Sequence, residues 1–247
     1  AVAYATEEDV NAIARTASVS RDPQLYGLAF QACHRLIGLA PSFCAQISAD
    51  QWAQRDPGNG MAWLYAVDKA NAEKRESSKV DAIYRYIQTQ HFDLGLSLLG
   101  ALTRSEAFPR DTPFVASTAT DWAFQGHIHA PLPGYQGVMA YCTVTTVRDA
   151  NRAQVCNDVA DSLLRDDSTL IGPILGVRLG ERLAWPAARL APLREEQDAL
   201  RVVHAETPKL LFGDAPALGT DELISQGQAG CEARDRLSAL LDTQMRV

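Results

Sequence analysis

Gln51-Trp52-Ala53-Gln54-Arg55-Asp56-Pro57-Gly58-Asn59-Gly60-Met61-Ala62-Trp63-Leu64-Tyr65 reads as the end of one helix, a stop, and the start of the next. Pro57 cannot continue a helix, and Gly58 and Gly60 tolerate left-handed backbone. Asn59 is a good N-cap for a helix running through Trp63 and Leu64. Trp52 and Trp63 bracket the turn, each too large to leave wholly in water without cost. The join predicts stacked helical hairpins, and an all-α protein follows if the rest of the chain is built the same way.

Upstream, Thr6-Glu7-Glu8-Asp9 caps a helix with acids in its first turn, where the helix dipole favours them. Asp22-Pro23 restarts the chain as cap and first-position proline. An apolar stripe then recurs at helical spacing through Leu25, Leu28, Ala29, Ala32, Cys33 and Leu36. Gly38 to Ser42 breaks it, and a second helix is expected to run on to Arg55. Downstream, Asn59 opens a helix ending near Glu73-Lys74-Arg75-Glu76, Ser77 caps another, and Asp93 a further one. Beyond a polar break at 104–112, Asp149 caps a helix to Arg165, and another covers Leu170 to Leu183. The next is expected from about Pro192, and Thr207 to Thr220 ends the regular pattern. No stretch alternates convincingly as a strand. The break divides the chain into residues 1–108, with the first hairpins, and 109–247, a helical continuation or second subdomain.

Cys33 and Cys44 flank the breaker Gly38 to Ser42. On one unbroken helix they would lie roughly 16 Å apart, at about 1.5 Å per residue. A turn between them brings them to disulfide distance across a hairpin. Cys142 and Cys156 repeat the plan around Thr143-Val144-Thr145-Thr146-Val147, a poor helix. Cys231 is left over from the five cysteines, and a buried helix position explains it better than a reactive thiol. Two local clasps without zinc-type spacing point to an oxidising compartment, periplasmic or secreted. The chain opens Ala1-Val2-Ala3-Tyr4 without a basic-then-apolar leader, which reads as a leader removed or a trimmed piece.

The join Pro57-x5-Trp63 resembles the junction between tetratricopeptide repeats, where a helix-ending proline precedes the next repeat's aromatic by this spacing. The same register puts Ala45, Ala49 and Trp52 on the second helix of a hairpin and Ala29, Ala32, Cys33 and Leu36 on the first. Ala82 and Tyr86 fit a second helix only after about three inserted residues near Glu73–Ser77. The resemblance is degenerate and covers roughly residues 22–90. It implies hairpins that bind a protein or peptide on one face.

Composition narrows the functions. With 47% hydrophobic and 21% charged residues over 247 positions, the chain is ordinary for a globular protein. A net charge of −7 excludes a general nucleic-acid binder and opposes adhesion to anionic lipid. No run approaches the roughly 20 apolar residues of a membrane span. Phosphate-loop, dinucleotide and HExxH signatures are missing, and Ser97 between Gly95 and Gly100 lacks the spacing of a nucleophile elbow. His127 and His129 are the one close histidine pair and a weak metal candidate, because residues two apart diverge on a helix or strand. The doublets Asp166-Asp167 and Glu195-Glu196 read as solvated faces. No cofactor is expected.

The candidate binding surface is therefore the aromatic set Trp52, Trp63, Tyr65, Tyr84 and Tyr86, with Phe92 beside it. Most of these must be core and one or two exposed. The expected function is a non-enzymatic, protein- or peptide-binding helical-repeat protein of the cell envelope or secreted space. Two alternatives stand beside it: a periplasmic inhibitor or immunity protein that neutralises a toxin, and a helical hydrolase using dispersed acids or histidines.

Overall fold

The structure, a computed structural model, describes residues 7–35, 42–93, 135–166, 169 and 171–212. In chain order the helices are α1 (Glu7–Val19), α2 (Pro23–Arg35), α3 (Ala49–Arg55), α4 (Gly60–Ala72) and α5 (Glu76–Ile87). After these come α6 (Gln136–Tyr141), α7 (Ala150–Leu164), α8 (Ile171–Arg182) and α9 (Ala187–Phe212), with short 3-10 helices at Ser42–Gln46 and Thr146–Arg148. Neighbours pack in pairs: α1 on α2, α3 on α4, α4 on α5, and α7 on α8. No strand occurs among the described residues, so the all-α reading holds. The described residues up to Asp93 and from Tyr135 to Gln197 fall in one compact unit. A second unit takes in Gly95–Ala130 and Asp198–Val247, of which the end of α9 is described. The expected boundary near residue 108 and the helix expected after Asp93 lie outside the described residues.

The helix starts follow the caps in the sequence. Asp22 Oδ1 accepts the N–H of Gln24 at 2.9 Å, Asn59 Oδ1 that of Met61 at 3.0 Å, and Asp149 Oδ1 that of Arg152 at 2.9 Å. Each satisfies a donor that has no partner within its own helix.

Three boundaries differ from expectation. The helix expected to run from the cysteine turn to Arg55 is broken into a 3-10 turn and a short α3. Ser48 restarts the chain there: its side chain accepts the N–H of Gln51, while its own N–H donates to the Tyr26 hydroxyl at 3.2 Å. A residue on α2 thus decides where α3 begins. α5 starts at Glu76, ahead of Ser77, because Lys74 turns the chain with a φ of 56°. α9 starts at Ala187, ahead of Pro192, after Ala184 makes the same left-handed turn. It runs through Pro208 to Phe212, past the expected end at Thr207.

Two hydrogen-bonded pairs of residues share the same chain interval. Asn59 and Asp93 are 34 residues apart; Asn59 Nδ2 donates to the Asp93 carbonyl at 3.0 Å. The Asp93 N–H returns a bond to Asn59 Oδ1 at 3.1 Å. Tyr135 and Thr169 are also 34 apart, with their hydroxyls at 3.1 Å. Asn59 and Tyr135 precede α4 and α6 as N-caps, and the Thr169 hydroxyl accepts the N–H of Gly172 at the start of α8. The same spacing separates Trp52 from Tyr86, both buried, and His34 from Asp68. α6 lies on α4, and α7 lies on α5. α4 is consequently the central helix, with Met61, Leu64, Tyr65 and Val67 buried around it.

Candidate functional site

The aromatic residues singled out in the sequence divide between core and surface. Trp52 is 2% exposed, with Phe30 at 5.3 Å and Tyr65 at 5.8 Å between ring centroids. Its indole lies over Gly27, where a Cβ would stand 2.9 Å from the ring, so the bare backbone is what lets α2 and α3 approach. Tyr65 and Tyr86 are buried, and Phe92 is buried edge-on to Tyr86 at 6.1 Å. Trp63 is half-buried, and its indole N–H donates to the Pro57 carbonyl at 2.9 Å, closing the stop between α3 and α4. Tyr84 is 45% exposed. Of the five candidate binding residues, then, Trp52, Tyr65 and Tyr86 pack the interior, and Tyr84 stands at the surface.

Below the surface lies a polar cluster that the sequence did not announce. Asp166 follows α7 and is 1% exposed, which corrects its reading as part of a solvated acidic doublet. The Tyr135 hydroxyl donates to Asp166 Oδ2 at 3.0 Å, and the Thr169 hydroxyl donates to the same oxygen at 3.0 Å. Gly172 leaves room for that carboxylate, since a Cβ there would collide with it. Tyr135 itself has a φ of 51° and caps α6. The cluster ties the start of α6 to the turn between α7 and α8. Burial pushes the Tyr135 hydroxyl far above the ordinary tyrosine range, and the Asp166 carboxylate adds to the rise. Burial does the same to Tyr86, with Asp166 and Tyr135 adding and Arg165 opposing. Among the described residues the buried Tyr86 hydroxyl has no hydrogen-bond partner.

A third group sits between α2 and α4. His34 stacks on Phe30 at 5.6 Å and meets the edge of Tyr65 at 5.6 Å. Burial lowers its pKa, and the nearby Asp68 carboxylate opposes that shift. Asp68 Oδ1 accepts the N–H of Gly137, which anchors α6 on α4 at 2.9 Å. Gly137 lies so close to Val67 that a Cβ would be 2.7 Å from its Cγ1.

Tyr141 ends α6 as a buried residue, with the Arg152 guanidinium 4.7 Å from its ring centroid. Its hydroxyl is pushed up by burial first, then by Tyr84 and Asp149, while Arg152 opposes. The neighbouring backbone is fixed: the Thr146 hydroxyl donates to the Tyr141 carbonyl at 2.8 Å, and Cys142 is bonded to Cys156.

Both expected disulfides are present: Cys33–Cys44 with Cα atoms 5.4 Å apart, and Cys142–Cys156 at 5.7 Å. His127, His129 and Cys231 lie outside the described residues, as does the His204 side chain. Among the described residues, no group of three or more His, Cys, Asp or Glu could hold a metal ion. Glu195 and Glu196 are exposed, as expected. No described helix is long and apolar enough to cross a membrane. No protein-family model, curated protein or solved structure matches the chain.

Proposed function

We propose that this chain is a non-enzymatic, tetratricopeptide-like helical-repeat protein that binds a protein or peptide partner in the periplasm or the secreted space. The observation that carries the reading is that neighbouring helices pack in pairs, with bonds between residues 34 apart at Asn59–Asp93 and Tyr135–Thr169. A stack of paired helices presents a rigid, extended surface, and such surfaces serve recognition more readily than they build a closed catalytic pocket. The two disulfides support an oxidising compartment, where bonds of this kind persist.

The polar cluster around Asp166 favours no hydrolase in this reading. Its carboxylate is 1% exposed and already accepts two hydroxyl donors, so a substrate has no path to it. The central α4 also carries few open positions, which moves partner recognition to the outer helices.

The test is affinity capture from the envelope or secreted fraction of the source cells, with the full oxidised chain as bait. The reading expects a partner that reassembles with the purified chain as a defined complex in gel filtration. A chain that retains no partner, yet turns over an ester, peptide or glycoside library, would defeat it.

A further inference from the structure

The two disulfides stand in different surroundings. Cys142 follows α6 and Cys156 lies midway along α7, and both are 0% exposed. The Arg182 guanidinium donates to the Cys142 carbonyl at 3.3 Å, and the Thr146 hydroxyl donates to the carbonyl before it. A thiol in solution reaches these sulfurs only after α6 and α7 have parted. Cys33 lies in the last turn of α2 and is only partly buried, while its partner Cys44, in the first 3-10 helix, is 8% exposed. Thiol–disulfide exchange begins with a thiolate reaching one of the sulfurs, so access decides which bond opens.

The segment that carries Cys44 is also held by groups other than the disulfide. The Phe43 N–H donates to Asn11 Oδ1 on α1 at 3.2 Å, and the Arg15 guanidinium stands 5.9 Å from the Phe43 ring centroid. The Ser48 N–H donates to the Tyr26 hydroxyl at 3.2 Å, and that hydroxyl donates to Gln51 Oε1 at 2.6 Å. On the other side of the bond, α2 is held by the buried Tyr26, Ala29 and Phe30, with Phe30 packed on Trp52 and Tyr65. Breaking the Cys33–Cys44 bond therefore leaves both of its ends in place, and two thiols that stay neighbours can close again.

We infer that Cys33–Cys44 is a reversible thiol–disulfide exchange site, opened by a dithiol, and that Cys142–Cys156 is a permanent structural bond. A thiolate of the dithiol attacks Cys33 Sγ and forms a mixed disulfide. The Cys33–Cys44 bond breaks, and Cys44 Sγ leaves with the electron pair and takes up a proton. The second thiol of the dithiol, once deprotonated, attacks its own neighbour in the mixed disulfide and releases Cys33 Sγ, which takes up the second proton. Two electrons and two protons pass to the chain, and the dithiol ends as a disulfide. The reverse sequence closes the bond. Exchange removes the cross-link between α2 and the first 3-10 helix, while the link between α6 and α7 stays.

The test treats the full oxidised chain with graded dithiothreitol in native buffer and blocks the thiols formed with iodoacetamide. Peptide masses locate them, and circular dichroism follows the same samples. The inference expects Cys33 and Cys44 to be alkylated together, at least about tenfold faster than Cys142 and Cys156, with the helical signal retained. Removal of dithiothreitol and addition of oxidised glutathione restores the bond. With Cys44→Ser the lone Cys33 thiol, and with Cys33→Ser the lone Cys44 thiol, is alkylated without reductant, Cys33 the faster. The double variant Cys33→Ser with Cys44→Ser is expected to fold and to keep Cys142–Cys156. Both disulfides opening together, Cys142–Cys156 opening first, or loss of helical signal as Cys33–Cys44 opens overturns the inference, as does a double variant that does not fold. Faster alkylation of the lone Cys44 than of the lone Cys33 overturns the direction of attack.

Discussion

Tyr135 and Tyr86 are both buried and both raised in pKa, with Asp166 adding to each rise, yet they answer opposite questions about hydrogen bonding. The Tyr135 hydroxyl donates to a buried carboxylate at 3.0 Å, and the Tyr86 hydroxyl has no partner among the described residues. Tyr135→Phe keeps the ring and removes one of the hydroxyls that support Asp166. A hydrogen bond to a charged group contributes about 1.5–3 kcal/mol, and no cavity is added to that loss. A change of about 2 kcal/mol lowers Tm by roughly 4–8 °C for a chain of this size. Tyr86→Phe removes a hydroxyl whose burial is uncompensated, and is expected to be neutral or to stabilise by about 1 kcal/mol. The assay is urea unfolding of both variants, followed by far-ultraviolet circular dichroism at neutral pH. Loss of stability in Tyr86→Phe with none in Tyr135→Phe would refute the assignment of the cluster.

Alkaline pH gives a second view of the same groups. The unfolded chain loses its tyrosine protons near pH 10, while the folded chain retains those of Tyr135 and Tyr86. The unfolded state then binds fewer protons, so stability falls as pH rises above about 10, and falls less steeply in the Tyr135→Phe variant. His34 acts in the other direction: its lowered pKa means that the unfolded chain protonates first as pH drops below 6.5. Stability is lost in acid through this group, and pH-dependent unfolding of His34→Phe should show a shallower slope between pH 5 and 7. Gly27→Ala places a Cβ 2.9 Å from the Trp52 ring and is expected to cost about 1–3 kcal/mol, measured by thermal unfolding; a neutral result would show that α2 and α3 can part freely. Cys142→Ser with Cys156→Ser opens a fully buried disulfide and is expected to cost about 3 kcal/mol by urea titration. Thiol titration of the denatured, unreduced chain should find one of the five cysteines free. Five free thiols would remove the argument for an oxidising compartment.

Much of this fold is local, and local features are legible in a sequence. Pro57, Asn59, Asp22 and Asp149 act on the backbone within a few residues of themselves, so the stops and starts they encode need no knowledge of the rest of the chain. The two disulfides were legible for the same reason: each closes a short loop around a helix breaker. The break before α3 was hidden because the group that takes the Ser48 N–H is the Tyr26 hydroxyl on another helix. Asp166 was misread because a carboxylate beside another acid looks solvated until Tyr135, 31 residues earlier in the chain, and Thr169 from the following turn close over it.

The sequence by itself determined that the chain is helical, where most helices turn, and which cysteines pair, since caps, breakers and short loops act over a few residues. Which aromatics face inward, how α6 comes to rest on α4, and that Asp166 is buried were decided by packing alone. Those outcomes depend on elements far apart in the chain that compete for the same buried surface, and a hydrophobic stripe records that a residue wants to be covered without recording by what.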